Sequence, residues 1–300
     1  MGEAELDFSL ILREKAEECE TFLFEYFDKL HDDRTTLYDA MRYSVASGGK
    51  RLRMILLLEC AQLFSSSIDD CIPFACAVEM IHSYSLIHDD LPALDNAEYR
   101  RGKLCNHKVF GESMAMLAGD GLLHYSFEVM LSASLSQKTG KSHLYIKAMK
   151  EIANYSGISG MVLGQSIDTQ ANQFIDYDLL KFIYLKKTAS MFIGPMKAGA
   201  IISGADDAQI ALISDFAYNL GMAFQITDDI LDETGDFAEF GKTIGTDKKN
   251  NKNTVSSLLG VDQAYRAALE YITEAQRIIS YFNSSGFFIN LCNYIINRKL

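Results

Sequence analysis

Apolar residues recur at helical spacing through 5–31, 36–47, 52–64, 71–91, 112–133, 143–155, 158–171, 177–203, 207–233 and 262–283, with a shorter run at 288–298, and each run predicts a helix. The breaks fall on turn-forming residues, Ser47-Gly48-Gly49, Ser65-Ser66-Ser67, Asp95-Asn96, Gly204 and Asn250-Asn251, and none is a long flexible linker. Residues 1–300 therefore read as a single domain. Strand-like alternation is hard to find, and the chain holds only three prolines, Pro73, Pro92 and Pro195. The expected fold class is all-α. Runs 71–91 and 177–203 are apolar around most of their circumference, which suits the middle of a large bundle. Their few polar residues are the informative ones, because an unpaired buried charge is costly.

The run over 71–91 leads into Asp89-Asp90-Leu91-Pro92-Ala93-Leu94-Asp95. Carboxylates at a helix C-terminus face the negative end of its dipole, so a positive partner is implied. Adjacent carboxylates about 4 Å apart repel by roughly 1 kcal/mol in water and about 4 kcal/mol at an effective dielectric of about 20, a repulsion that a divalent cation reverses. The second cluster is Asp228-Asp229-Ile230-Leu231-Asp232. At about 100° per residue its aspartates share one helix face, an arrangement that reads as a preformed metal site. Oxygen ligands without nearby cysteine favour Mg2+ over zinc or copper. Asp95 would lie about 120° from Asp89 on an ideal helix, so a distorted helix is expected there, with Pro92 as the cause. Mg2+ fills its remaining positions with water and phosphate oxygens, so two facing clusters imply a bound polyphosphate.

The formal net charge of -12 argues against nucleic acid or an anionic membrane as a general partner. Basic residues nonetheless gather locally. Gly48-Gly49-Lys50-Arg51-Leu52-Arg53 is a glycine turn opening a helix, a setting that binds anions, and Arg100-Arg101-Gly102-Lys103 follows the first acidic cluster. Lys187-Thr188 lies inside an apolar run, and Lys242 and Lys252 flank a Gly/Asn-rich segment. His82 is two helical turns before Asp89, on nearly the same face. The six cysteines have no Cys-x-x-Cys spacing, which indicates neither zinc nor a disulfide framework. An acidic start and the lack of a membrane-length apolar run lead us to expect a cytoplasmic protein without stable membrane insertion.

The motifs of residues 43–260 resemble those of the trans-prenyl diphosphate synthases, and within them the bacterial farnesyl diphosphate synthases. They include Gly48 to Arg53, Glu79-Met80-Ile81-His82, Asp89 to Asn96, Arg100 to Lys103, Asn106 to Glu112, Gly160-Met161, Gly164-Gln165, Lys187-Thr188 and Phe224 to Asp232. The resemblance implies an isoprenoid synthase helical bundle around a central cavity, usually a homodimer. It assigns Asp89, Asp90, Asp95, Asp228, Asp229 and Asp232 to Mg2+. Gly49, Lys50, Arg53, His82 and Arg101 would hold isopentenyl diphosphate, and Arg100, Lys187, Thr188, Gln225, Lys242 and Lys252 the allylic diphosphate. The implied catalytic set is Asp89, Asp90, Asp95, Lys187, Asp228 and Asp229: the allylic diphosphate ionises, isopentenyl diphosphate attacks the cation, and a proton is lost. Tyr84 and Ser85, about one turn before Asp89, would set product length, the aromatic ring stopping it at farnesyl. Ala97-Glu98 and Leu163 depart from the family pattern without removing a metal ligand. Geranylgeranyl diphosphate synthase, a terpene cyclase and a non-catalytic synthase subunit are the alternatives.

Overall fold

The computed structural model describes residues 3–30, 35–65, 67–136, 140–170, 176–234 and 253–298. Its helices are α1 (Glu3–Asp28), α2 (Thr36–Val45), α3 (Leu52–Gln62), α4 (Ile72–Asp89), α5 (Asn106–Phe110), α6 (Glu112–Ser136), α7 (Ser142–Ser156), α8 (Met161–Gln170) and α9 (Tyr177–Ile183). They continue as α10 (Ser190–Ile202), α11 (Asp207–Thr234), α12 (Val255–Leu259), α13 (Val261–Ile279) and α14 (Gly286–Asn297). Among the described residues the only sheet is a ribbon of β1 (Tyr99–Arg100) and β2 (Lys103–Leu104). The all-α expectation holds, with that ribbon, α5 and α12 as additions too short for periodicity to reveal.

Helix α10 is the axis of the bundle. Every residue of it except Lys197 is buried, and Lys197 pairs with Glu151 of α7 at 2.6 Å. It packs against α3, α7 and α11, while α4 packs on α6 and α13 on α11. Small residues permit these close crossings: a methyl on Gly199 would stand 2.3 Å from the carbonyl oxygen of Leu57 in α3. No helix among the described residues is long and apolar enough to cross a membrane.

Two departures from the expected helices shape the site. The run 177–203 is not one helix, because a π turn, Tyr184–Ala189, separates α9 from α10. There the backbone N–H of Ser190 donates five residues back to Leu185, and the same carbonyl accepts the Ser190 hydroxyl at 3.0 Å. The wider turn meets α8 at Gly164, where a methyl would fall 2.2 Å from the Lys187 nitrogen. The second departure is at Pro92. Helix α4 is not bent there but stops at Asp89, and Leu91 N–H takes the His88 carbonyl at 3.1 Å. Pro92 has no N–H to continue the ladder. The chain then folds back, so that Asp95 N–H bonds to the Asp89 carbonyl at 2.9 Å and Ala97 N–H to that of Asp90 at 3.2 Å. That fold-back, closed by Asn96 at φ 48°, returns Asp95 to the end of the helix that carries Asp89.

Candidate active site

The first acidic cluster is held by α8 and the β-ribbon. Asp89 accepts a hydrogen bond from the Gln165 side-chain amide. Asp90 is buried and receives Arg100 through Nε at 2.8 and 2.9 Å and Nη2 at 2.6 Å. Burial works against the Arg100 charge, yet the bonds to Asp90 hold its pKa above the ordinary range. The ribbon turn, Arg101 at φ 53° and Gly102 at φ 74°, is of the left-handed kind that joins adjacent strands tightly. It sends Arg100 to Asp90 and turns Arg101 toward the Gly48 carbonyl.

The turn before α3 receives that arginine. Gly48 and Gly49 adopt φ 81° and 132°, and a methyl at Gly49 would strike the Arg101 guanidinium carbon at 2.5 Å. Arg51 follows in the left-handed region at φ 48°, an uncommon conformation for a residue with a side chain. Its fully buried guanidinium bonds to the Val45 carbonyl at 2.6 Å, to Glu20 at 2.8 Å and to Glu79 at 3.1 Å. Helices α1, α3 and α4 are thereby tied at one point.

One turn of α4 beyond Glu79, His82 Nε2 lies 3.1 Å from Arg53 Nη1. Desolvation, reinforced by Arg53 and its neighbouring arginines, drives the His82 pKa well below its usual value. Desolvation also takes Arg53 down to about 10. A neutral imidazole beside crowded arginines is the lower-energy state. Lys50, which precedes Arg51 in the turn before α3, is exposed.

The second cluster occupies the last turns of α11. Asp229 is buried and accepts from Gln225 Nε2 at 2.8 Å, from the Tyr184 hydroxyl and from Val255 N–H at 3.4 Å. Thr188 donates to the Gln225 oxygen at 2.6 Å, linking the π turn to Asp229. Lys187 bonds to Asp168 at 2.6 Å, three residues after Gln165 on α8. Asp228 points elsewhere, pairing at 2.7 Å with Arg298, whose guanidinium lies 4.5 Å from the Phe224 ring centre.

Asp228 and Asp229 therefore answer to different partners, and among the described residues no three acidic or imidazole groups converge on one point. About 100° apart on α11, Asp229 is turned inward while Asp228 stays half-exposed. The donor set still fits a hard cation. The clustered side chains are carboxylates, with the Cys105 thiol hydrogen-bonded to Asp90, and Mg2+ needs only one or two carboxylates when water and phosphate complete its octahedron.

The structure brings together Asp89, Asp90, Arg100 and Gln165 on one side, Thr188, Gln225 and Asp229 on another, and Arg53, His82, Arg101 and Gly49 on a third. Lys242 and Lys252 lie outside the described residues. Tyr84 is buried with its ring edge-on to His88, 5.6 Å between centres, and Ser85 bonds back to the His82 carbonyl at 2.8 Å. Sequence reasoning assigned no role to Gln165, Asp168, Tyr184, Glu79 or Arg298. Gln165 and Glu79 lie in motifs that it did notice; Asp168, Tyr184 and Arg298 carry no local signal.

A polyprenyl synthetase family model matches residues 34–279. The farnesyl diphosphate synthase of Geobacillus stearothermophilus is 41% identical, over 91% of this chain and 92% of its own. The geranylgeranyl diphosphate synthase of Cyanophora paradoxa is 40% identical over 88% of each chain. Among solved structures, the geranyltransferase of Helicobacter pylori complexed with magnesium and isoprenyl diphosphate superposes with a TM-score of 0.81 at 30% identity, covering 99% of this chain and 98% of its own.

Proposed function

The chain belongs to the polyprenyl synthetase family and is a prenyltransferase of the isoprenoid synthase fold, and from that premise we propose that it makes farnesyl diphosphate from isopentenyl diphosphate and a shorter allylic diphosphate. The carrying observation is the separation of the charges. Two sets of carboxylates stand at the ends of α4 and α11, and a distinct cation group of Arg53, His82 and Arg101 stands beside the turn of α3. One diphosphate is thus served through carboxylates and metal, the other by side chains directly.

A divalent cation, read as Mg2+ from the donor chemistry and from the magnesium in the Helicobacter pylori relative, would be held by Asp89, Asp90, Asp95, Asp228, Asp229 and Asp232. Bound there, it would stabilise the departing diphosphate. Arg100, Lys187 and, outside the described residues, Lys242 and Lys252 add positive charge around the same leaving group, while Thr188 and Gln225 present oxygens to the carbon cation. Arg53, His82, Arg101 and Lys50 orient the second substrate with its double bond toward that cation. A neutral His82 can donate one N–H to a phosphate oxygen without adding to the crowding of charge.

The aromatic Tyr84 favours the farnesyl product; the Cyanophora paradoxa relative keeps the geranylgeranyl reading alive. The six free cysteines, all buried, accord with a reducing compartment such as the cytoplasm. The test is to supply the purified chain with Mg2+, geranyl diphosphate and isopentenyl diphosphate, then chromatograph the dephosphorylated products. Farnesol as the main product is expected. Geranylgeraniol would move the assignment to the longer product, and consumption of the allylic substrate without isopentenyl diphosphate would indicate a cyclase instead.

A further inference from the structure

Tyr184, the first residue of the π turn, is buried. Its hydroxyl accepts the backbone N–H of Val255, the first residue of α12, at 3.2 Å and donates its own hydrogen to Asp229 Oδ2 on α11. The Val255 N–H also lies 3.4 Å from that same carboxylate oxygen. The other oxygen, Oδ1, accepts the Gln225 side-chain amide at 2.8 Å. Donors from three elements thus engage both oxygens of a buried aspartate. These bonds have a direction. A carboxylate only accepts, so Gln225 must turn its NH2 toward Asp229 and its oxygen toward Thr188. The Thr188 hydroxyl then has to donate, which it does at 2.6 Å, and its lone pairs are left for a cation beyond it. A reversed amide would turn the hydroxyl hydrogen away from Gln225 and toward that cation.

We propose that Tyr184 is a positioning residue for the allylic side of the site: by clamping Asp229 it sets the direction of the chain from Asp229 through Gln225 to Thr188, so that Thr188 presents an oxygen to the carbon cation. This rests on the reading of that side as the place where the allylic diphosphate ionises. Tyr184 acts through Asp229 and not on the substrate. Preorganised dipoles of this kind act on charge that develops in the transition state and cost no reorganisation when it does. The same hydroxyl joins the π turn to the start of α12, so the end of α11 that carries the second acidic cluster is held from two sides.

The experiment measures steady-state turnover of geranyl and isopentenyl diphosphates at saturating Mg2+ by the full chain and by Tyr184→Phe, which keeps the ring and removes the oxygen. The kcat of the variant should fall about tenfold, with both KM values within about twofold of native, because the lost orientation matters only once positive charge develops. A double-mutant cycle supplies the second reading. Gln225→Met cuts the chain, and Tyr184→Phe added to it should lower kcat by no more than about a further twofold. Losses that multiply, a native kcat in Tyr184→Phe, or a KM effect without a kcat effect would overturn the positioning role while leaving the site reading intact. A native chain that forms no product from these substrates would overturn both. Should Tyr184→Phe fail to fold, Val255→Pro takes its place. The first position of a helix accepts proline, and Thr254 before it is already extended at φ -123° and ψ 162°, as a residue preceding proline must be. That variant loses the N–H that fixes the Tyr184 hydroxyl; its kcat should fall about threefold, and an unchanged kcat would refute the proposal.

Discussion

Tyr84 makes a single-residue prediction. It sits about one turn before Asp89, buried, its ring edge against His88, whose Nε2 lies 3.0 Å from the Met116 carbonyl of α6. A tail growing from the metal-held diphosphate along α4 would meet this ring, and its removal opens space for about one further isoprene unit. Tyr84→Ala should shift the product from farnesyl toward geranylgeranyl diphosphate, read by chromatography of dephosphorylated products, and should cost about 3 kcal/mol in stability from the lost burial. An unaltered product with that loss of stability would make Tyr84 a packing residue only. The charged residues of the site were legible in the sequence for one reason. Asp89, Asp90, Asp228 and Asp229 stand in apolar runs, where a carboxylate is conspicuous. Arg298 and Asp168 were not, since a charge near a helix end or on a half-exposed face looks like ordinary surface until the fold brings it to Asp228 or Lys187.

At the scale of elements, the π turn is the part that helical periodicity could not express. Period 3.6 runs through 177–203 without a gap, yet a turn with five-residue bonds shifts the phase of everything after it by about 100°. The turn is seated on a tertiary contact, Gly164 of α8 against the Lys187 backbone. Glycine to alanine ordinarily stabilises a helix by about 0.5–1 kcal/mol. Here the sign should reverse. Gly164→Ala drives a methyl into the Lys187 backbone and should destabilise the chain by roughly 1–3 kcal/mol in urea unfolding, with kcat lowered by about tenfold or more as Lys187 and Thr188 move. A variant as stable and active as native would mean that α8 does not rest on that turn. The long helices were legible to within a few residues because each buries one apolar face or all of them. The ribbon that aims Arg100 and Arg101 was not, since two residues per strand carry no pattern.

Across the whole molecule, an apolar band remains on α6. Leu117, Leu131 and Leu135 are 52%, 47% and 85% exposed and lie within about 40° of one another around the helix, with Ile146 of α7 exposed at 55%. We propose this band as an association surface, with a second copy as its occupant, because the family resemblance implies a homodimer. The native chain should run at twice its monomer mass in light scattering, and Leu131→Arg should shift it toward the monomer; a native monomer would rule the band out as a dimer face. The buried thiols have a different consequence. Burial pushes Cys19, Cys71, Cys105 and Cys292 up to about 12 and Cys60 and Cys76 well above their usual value, so at neutral pH almost none is the reactive thiolate. Distributed over α1, α3, α4, α14 and the approaches to α4 and α5, they are silent to alkylating reagents until the helix that shelters them opens. The folded enzyme therefore offers a blank background on which one introduced surface cysteine takes a dye or spin label alone, and the native six become an internal clock that starts only when the bundle comes apart.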